Sequence, residues 1–551
     1  MPFLAKEHVP IPTKDILSWM YDEPLYDQDR PIYVDANDAS NFISATQAKT
    51  LIRQLIAGLK HAGLQKGDGV IIHSFNTIYY SIIALAMIGC GANLTGTNPG
   101  YTSHELTHAI RSCEAKFILC DPDILGDSIT TAAKACGLPM NKILALDSVP
   151  VSTLGATTGN SNIKGFNSWR TLLSNGEEDW IRFNDEQTSR NTTALLFFSS
   201  GTTGLPKLTK LSHYNLIAEH VLVFEKFPRP YALKRIVPLP MFHAAVAPTA
   251  HISALRAGTP QVVMRRYDPT AFLDNVEKHQ ITDLILVPPV VTSLLAHPLP
   301  LDQKRKKLAS VKCAWGGAAP LDAHTQNRFR QLLQTGSPFT QVFGMTETSC
   351  VASCMPYPED DDTGSVGRFL PGLDVKLLDD DGKEITAVDK TGEVAVRGPV
   401  VTQGYVGIPR ERDFDEEGYF KTGDVMYVDG KTGLWYIVDR KKELIKVRGF
   451  QVAPAELEGV LLEHPGVADA AVIGIKNQDG SSELPRAYVV KKADAKLEER
   501  DVTMWVEEKL AKYKRLDGGV KFVESIPKTA SGKILKRVLR ERAEKEVGAK
   551  L

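Results

Sequence analysis

Phe198-Ser199-Ser200-Gly201-Thr202-Thr203-Gly204-Leu205-Pro206-Lys207 is the stretch around which the chain is organised. Before it, Thr193-Ala194-Leu195-Leu196-Phe197-Phe198 is a short apolar run that reads as a buried strand. After it, Ser212 opens a segment with Leu216, Ile217, Val221 and Phe224 at helical spacing. Between strand and helix sit glycines, hydroxyls and a lysine. Glycines let a backbone fold tightly and turn its N–H groups toward an anion. Hydroxyls add donors and Lys207 adds charge, so the stretch can cradle phosphate. The Gly-Lys-Ser/Thr ending of a Walker loop is missing. Taken alone, a Gly/Ser/Thr turn is equally well a polar surface turn.

The composition is that of an ordinary globular protein: 551 residues, 43% hydrophobic and 24% charged, with 65 basic and 66 acidic side chains. The length allows about three or four units. A net charge of −1 gives no reason to expect nucleic acid or an anionic membrane as partner. The longest apolar run, 82–92, is too short to span a bilayer and holds Gly89 and Gly91. A basic region followed by an apolar block is missing near Met1, which argues against secretion. The seven cysteines are scattered without a CxxC pair, which suits a reducing compartment and gives neither a disulfide framework nor a zinc site.

From about 44 to 204, helical and strand-like segments alternate: Ala45 to His61 as helix, Val70-Ile71-Ile72 as strand, 77–89 as an apolar helix, then Phe117-Ile118-Leu119 and Ile143-Leu144-Ala145-Leu146 as strands. The stretch 153–162 is a loop. Gln261-Val262-Val263-Met264 and Leu284-Ile285-Leu286-Val287 continue the pattern. Alternation of this kind implies helix-covered parallel sheets, an α/β class. From about Gly364, pieces such as Val375-Lys376-Leu377-Leu378 and Glu393-Val394-Ala395-Val396, separated by Asp/Gly turns, predict a β-rich lobe. A charged linker at 439–442 leads to a small α+β part. The expected division is 1–440 and 441–551.

The 198–207 stretch closely resembles the phosphate loop of the adenylate-forming superfamily: acyl-CoA synthetases, luciferases and peptide-synthetase adenylation domains. Leu208 departs from it, standing where glycine is usual. Further motifs follow in family order. Pro238-Leu239-Pro240-Met241-Phe242-His243 resembles the segment whose aromatic-His pair lines the acyl pocket and gates the thiol tunnel. Ala244 and Ala245 are small; plant 4-coumarate ligases carry a ring-recognising tyrosine near Ala245. Gly316-Gly317-Ala318-Ala319-Pro320-Leu321 resembles the adenine-side loop. Trp315, just before it, either shapes the acyl pocket or is a core tryptophan. Gln341-Val342-Phe343-Gly344-Met345-Thr346-Glu347 resembles Gln-Gly-Tyr-Gly-Met-Thr-Glu. There the resemblance implies that Phe343 stacks on adenine, Thr346 meets the α-phosphate and Glu347 holds Mg2+. One or two carboxylates plus phosphate oxygens suit that ion.

Tyr419-Phe420-Lys421-Thr422-Gly423-Asp424 resembles the Thr-Gly-Asp whose carboxylate accepts the ribose hydroxyls. In Asp439-Arg440-Lys441-Lys442, Arg440 is implied to bind ribose or phosphate and Lys442 to be the hinge of a rotating C-terminal domain. The resemblance further implies that Lys446 and Gln451 contact the adenylate, and that Arg448, Gly449 and Arg266 meet CoA. Pro527-Lys528-Thr529-Ala530-Ser531-Gly532-Lys533 matches the family's Pro-Lys-x-x-x-Gly-Lys, which makes Lys533 the catalytic lysine. A cation between a carboxylate and ATP stabilises charge that peaks in the transition state. His464-Pro465-Gly466-Val467 and Glu483-Leu484-Pro485-Arg486-Ala487 resemble the 4-coumarate-like and peroxisomal acyl-CoA ligases most.

The resemblance covers all but about the first thirty residues. It implies an AMP-forming carboxylic acid:CoA ligase using ATP, Mg2+ and coenzyme A on a small-molecule acid, of aryl or medium-chain size. The rivals are an acyl-AMP ligase that loads a carrier protein, a luciferase-like oxygenase, and a non-catalytic nucleotide binder; an intact Lys533 argues against the last. Ala549-Lys550-Leu551 matches the small-basic-leucine address read by a peroxisomal import receptor, which implies a peroxisomal location.

Overall fold

The computed structural model describes residues 3–154, 162–199, 206–319, 321–447, 450–477, 482–493, 495–510, 512–529 and 532–548. Ser200, Gly201, Thr202, Thr203, Gly204, Arg448, Gly449, the side chain of Gln451 and Ala549-Lys550-Leu551 lie outside them.

Two helix-covered sheets form the large part of the molecule. The first runs, in spatial order, Lys207–Ser212, Thr193–Ser199, Asn93–Thr97, Gly69–His73, Ala115–Cys120, Ile143–Ala145, and is parallel except for its first pair. The second runs Phe339–Gln341, Cys313–Gly316, Asp283–Leu286, Arg235–Val237, Gln261–Val263, Pro31–Asp35, Phe42–Ser44, antiparallel only at its last pair. Central strands such as Gly69–His73 are buried along their whole length, which is why they read as unbroken apolar runs.

Helix Ala45–His61 begins where expected because Ser44 and Gln47 form a reciprocal capping box. Its Ala48, Leu51, Ile52, Leu55, Ile56 and Leu59 face the core. Helix Tyr80–Cys90 is buried on all sides and ends at Gly91, whose φ of 69° suits glycine. It starts later than the expected 77, because the Thr77 carbonyl takes the Tyr80 N–H as the chain turns in.

One local expectation is corrected. The phosphate-loop stretch does not join a strand to a helix: Lys207–Ser212 is itself a strand, antiparallel to Thr193–Ser199 with Lys207 opposite Ser199. Helix His213–His220 starts only after Ser212, which caps it. Leu208 is buried in a core cluster with Ile118 and Leu196, so the side chain that replaces glycine is a packing residue of this strand.

The β-rich lobe is a five-stranded antiparallel sheet ordered Glu384–Ile385, Asp374–Leu378, Gly392–Arg397, Phe420–Val428, Trp435–Arg440. Beyond it, strands Val467–Lys476, Glu483–Lys491 and Val520–Phe522 pack with helices Pro454–Leu462, Glu499–Lys509 and Lys536–Gly548 around a separate core that includes Ile445, Leu457, Val472 and Val489. At the junction, Val425, Leu444 and Ala453 cluster, and Asp439 Oδ2 accepts the Ala455 N–H at 3.1 Å. Lys536 Nζ lies 3.1 Å from Glu458 and 3.6 Å from Glu443.

Candidate active site

Sheets, lobe and C-terminal part meet around a cavity of about 1030 Å3. Its wall brings together Ser199, Lys207, His243, Ala244, Ala245, Trp315, Gly317, Ala318, Val342, Gly344, Thr346, Glu347, Arg440, Lys442 and Lys533. The motifs are far apart in sequence, and sheet topology places them at adjoining strand ends.

Glu347 sits on the short turn Thr346–Thr348 and is 9% exposed. Its Oε1 accepts the Tyr405 hydroxyl at 2.7 Å, and its backbone carbonyl takes the Thr402 N–H at 2.7 Å. Both bonds aim the carboxylate. Just before it, Gly344 permits a close fold-back: a Cβ there would lie 1.6 Å from the Cys350 carbonyl oxygen. Lys207 Nζ lies 3.6 Å from Asp413 Oδ1 and 4.4 Å from the centre of the Tyr405 ring. One tyrosine therefore positions both the acidic and the basic group.

Asp424 is 5% exposed, with Oδ1 3.2 Å from Arg440 Nε. Burial pushes its carboxyl up to about 6, with Glu347 adding to that, while Arg440 and Lys533 oppose it. Lys533 is brought down to about 8, first by burial and then by Arg440; Glu443, Asp424 and Glu347 hold it up. Its loop is closed by Thr529, whose N–H reaches the Lys533 carbonyl at 2.8 Å and whose Oγ1 takes the Lys533 N–H at 3.1 Å. The site is thus a buried mixture of opposite charges, able to bind polyphosphate and to offset charge created beside it.

The other end is apolar. Phe224 and Trp315 stack at 6.1 Å with 22° between planes. Trp315 is both core and wall: it is 6% exposed, stands in the sheet and lines the cavity. Burial lowers His243 to about 4, so its ring is neutral. Nδ1 accepts the Ala245 N–H at 3.1 Å, which puts the ring proton on Nε2.

Several expected site residues stand elsewhere. Phe343 is buried in the lobe core, edge-on to Phe369 at 6.2 Å, and at this motif Val342 and Gly344 line the cavity in its place. Gln341 donates to the Leu321 carbonyl and to Gln326, anchoring the loop after Gly317. Gly316 and Ala319 flank the lining Gly317 and Ala318, with a Cβ at Gly316 meeting the Phe339 ring at 3.2 Å. Arg266 is exposed and lies over the Phe75 ring at 3.7 Å. Lys446 is exposed, its N–H bonded to Glu483 at 2.8 Å. Sequence reasoning missed Tyr405, Asp413, Phe224 and Glu219; each stands outside any motif string and reaches the cavity only through tertiary packing.

The chain matches the model of the AMP-binding enzyme family over residues 25–406 and that of the AMP-binding enzyme C-terminal domain over 456–533. It is 50% identical to phenylacetyl-CoA ligase epaB of Aspergillus niger, over 99% of this chain and 100% of that one. It is also 50% identical to acyl-CoA ligase azaF of Aspergillus niger, over 98% and 100%. Among solved structures it resembles ATP-bound MatB from Rhodopseudomonas palustris, with a TM-score of 0.82 and 28% identity over 96% and 98% of the two chains. With motifs, cavity and family match in agreement over most of its length, the chain belongs to the AMP-binding enzyme family.

Proposed function

We propose that the chain is an ATP-dependent carboxylic acid:CoA ligase that works through an acyl-AMP. The observation that carries this is Lys533: supplied by the C-terminal part, it stands half-buried in the cavity whose wall holds Glu347, Arg440 and Lys207. That arrangement serves adenylation. An oxygen of the acid attacks the α-phosphorus, the bond to the β-phosphate breaks and pyrophosphate leaves. Lys533 and Lys207 offset the charge that builds there, and Asp424 with Arg440 holds the ribose. Glu347 is the residue that would hold Mg2+, which would supply positive charge against that of the phosphates. The residue fits: a buried carboxylate aimed by the Tyr405 hydroxyl is a hard oxygen donor of the kind Mg2+ takes alongside phosphate oxygens.

In the second half-reaction the CoA sulfur attacks the acyl carbonyl, its proton goes to solvent, and the bond to AMP breaks. We place the domain division at 440/441 and the hinge at Lys442, so that rotation about Lys442 withdraws Lys533 and brings in Arg448 and Gly449. The Phe224–Trp315 pair, with Ala244 and Ala245, favours an aryl acid, in line with the phenylacetyl-CoA ligase relative. Ala549-Lys550-Leu551 would deliver the protein to peroxisomes, and a tagged chain lacking these residues should stay in the cytosol.

The test is a panel of aryl and medium-chain acids, assayed for acid-dependent pyrophosphate release and, by mass spectrometry, for the CoA thioester. Pyrophosphate release with no thioester, in the presence of CoA, would overturn the choice of acceptor.

A further inference from the structure

The apolar end of the cavity contains a carboxyl group that neither half-reaction uses. Glu219, on helix His213–His220, is 3% exposed and shares the cavity wall with Phe224, Trp315, Ala245 and Cys350. Its Oε1 accepts the Val351 N–H at 2.9 Å. Its Oε2 is buried and has no hydrogen-bond partner. The neighbouring Cys350 thiol is turned to the Ala245 carbonyl at 3.5 Å, and no described lysine or arginine forms an ion pair with Glu219. Burial raises the Glu219 carboxyl well above the usual carboxylate range, which favours its neutral form. A neutral carboxyl group that accepts at one oxygen has an O–H to donate at the other. A buried donor without a partner is costly, and a ligand atom that completes the bond recovers that cost on binding.

We propose that Glu219 is a specificity-determining residue of the acyl site, its Oε2 donating a hydrogen bond to an acceptor carried on the substrate's ring, a ring nitrogen or a hydroxyl oxygen. The inference rests on the ligase reading above and narrows its substrate class. The surrounding wall gives the reason: the side chains of Phe224, Ala244, Ala245 and Val351 hold no donor, so an acid bearing such an acceptor gains by placing it against the unpartnered Glu219 Oε2.

The experiment compares kcat/KM for pyrophosphate release between phenylacetic acid and its pyridyl and hydroxyphenyl analogues, substituted at each ring position. In the wild-type enzyme one acceptor-bearing acid should be favoured by about tenfold or more. Glu219→Leu should cut that ratio to about one or below, and Glu219→Gln, which keeps an acceptor for Val351 and an N–H donor, should retain it. A wild-type enzyme that prefers phenylacetic acid to every analogue overturns the proposal, and needs no variant to fold. So does a ratio unchanged in Glu219→Leu. If no acid is activated, the ligase reading fails; calorimetric titration of the same acids into the wild-type protein then decides Glu219 separately, and equal affinities would refute its role.

Discussion

Lys533 is a cation confined among carboxylates in a space that resists charge. Its Nζ acts only while the loop 528–534 is seated in the cavity, so Lys533→Ala should lower acyl-AMP formation by about 10²–10³, the cost of removing one transition-state donor. Thioester formation from supplied acyl-AMP should be spared, and a quenched single-turnover assay of each half-reaction separates the two. Equal losses would place Lys533 in both steps. The same surroundings set a pH window. Lys533 is cationic below about 8 and Asp424 anionic above about 6. kcat/KM for adenylation should therefore be greatest between those values, declining as Asp424 takes up a proton and as Lys533 loses one. The two limbs belong to a coupled pair in the free enzyme. Lys533→Arg should carry the alkaline limb upward, and a limb that stays in place would belong to another group. These residues were legible because each lies inside a contiguous string with its own chemistry. Tyr405 was not: it meets Glu347 across 58 residues, and no local pattern announces that bond.

The Lys533 loop shows how an element is fitted to one state of the molecule. Gly532 has a φ of 84°, and a Cβ on it would lie 2.2 Å from Cγ of Pro289, at the start of helix Pro288–Ala296. The ring is rigid and the helix packed, so Gly532→Ala must displace the loop rather than its neighbour. We expect acyl-AMP formation to fall by about ten- to hundredfold, the range for a methyl forced into a packed contact. The thioester step, in which the loop has left Pro289, should change little. Similar losses in both steps would mean that the defect is local strain at the left-handed residue. At this scale most elements were readable from periodicity, since buried parallel strands and capped amphipathic helices carry strong signals. The strand Lys207–Ser212 was not. It follows directly on Pro206 and its side chains are buried in pairs, Leu208 with Thr209 and Leu211 with Ser212, not in alternation. Phe343 misled for a related reason. An aromatic in a binding motif and an aromatic in a core look alike until packing assigns the ring, here to Phe369.

At the scale of the whole molecule, the two half-reactions ask for two arrangements of one chain, and the present one has Lys533 inside. The hinge expected at Lys442 lies in a tight turn. The Arg440 carbonyl accepts the N–H of Glu443 at 2.8 Å and of Leu444 at 3.1 Å, with Lys441 and Lys442 at the centre. Bonds from both the third and the fourth residue to one carbonyl mean α-like backbone at these central positions. Lys441 is further held by its N–H on the Gly423 carbonyl at 2.9 Å and by its Nζ on Glu393 at 3.0 Å. Proline at 442 would be tolerable for its own φ, but it pushes the preceding residue out of the α region, which is why it is disfavoured at the second central position of such a turn. Lys442→Pro therefore opposes the arrangement with Lys533 inside. We predict a folded protein in which acyl-AMP formation is slow while supplied acyl-AMP is converted to thioester at close to the wild-type rate. The opposite pattern would mean that this turn survives the substitution and that the other arrangement is the one proline blocks. Both steps near wild type, in a variant shown to be folded, would place the rotation away from Lys442. The three C-terminal variants can then be read together. Lys533→Ala removes a charge, Gly532→Ala unseats its loop and Lys442→Pro tilts the domain that carries both. If all three slow the first half-reaction and spare the second, the shared cause is presentation of Lys533.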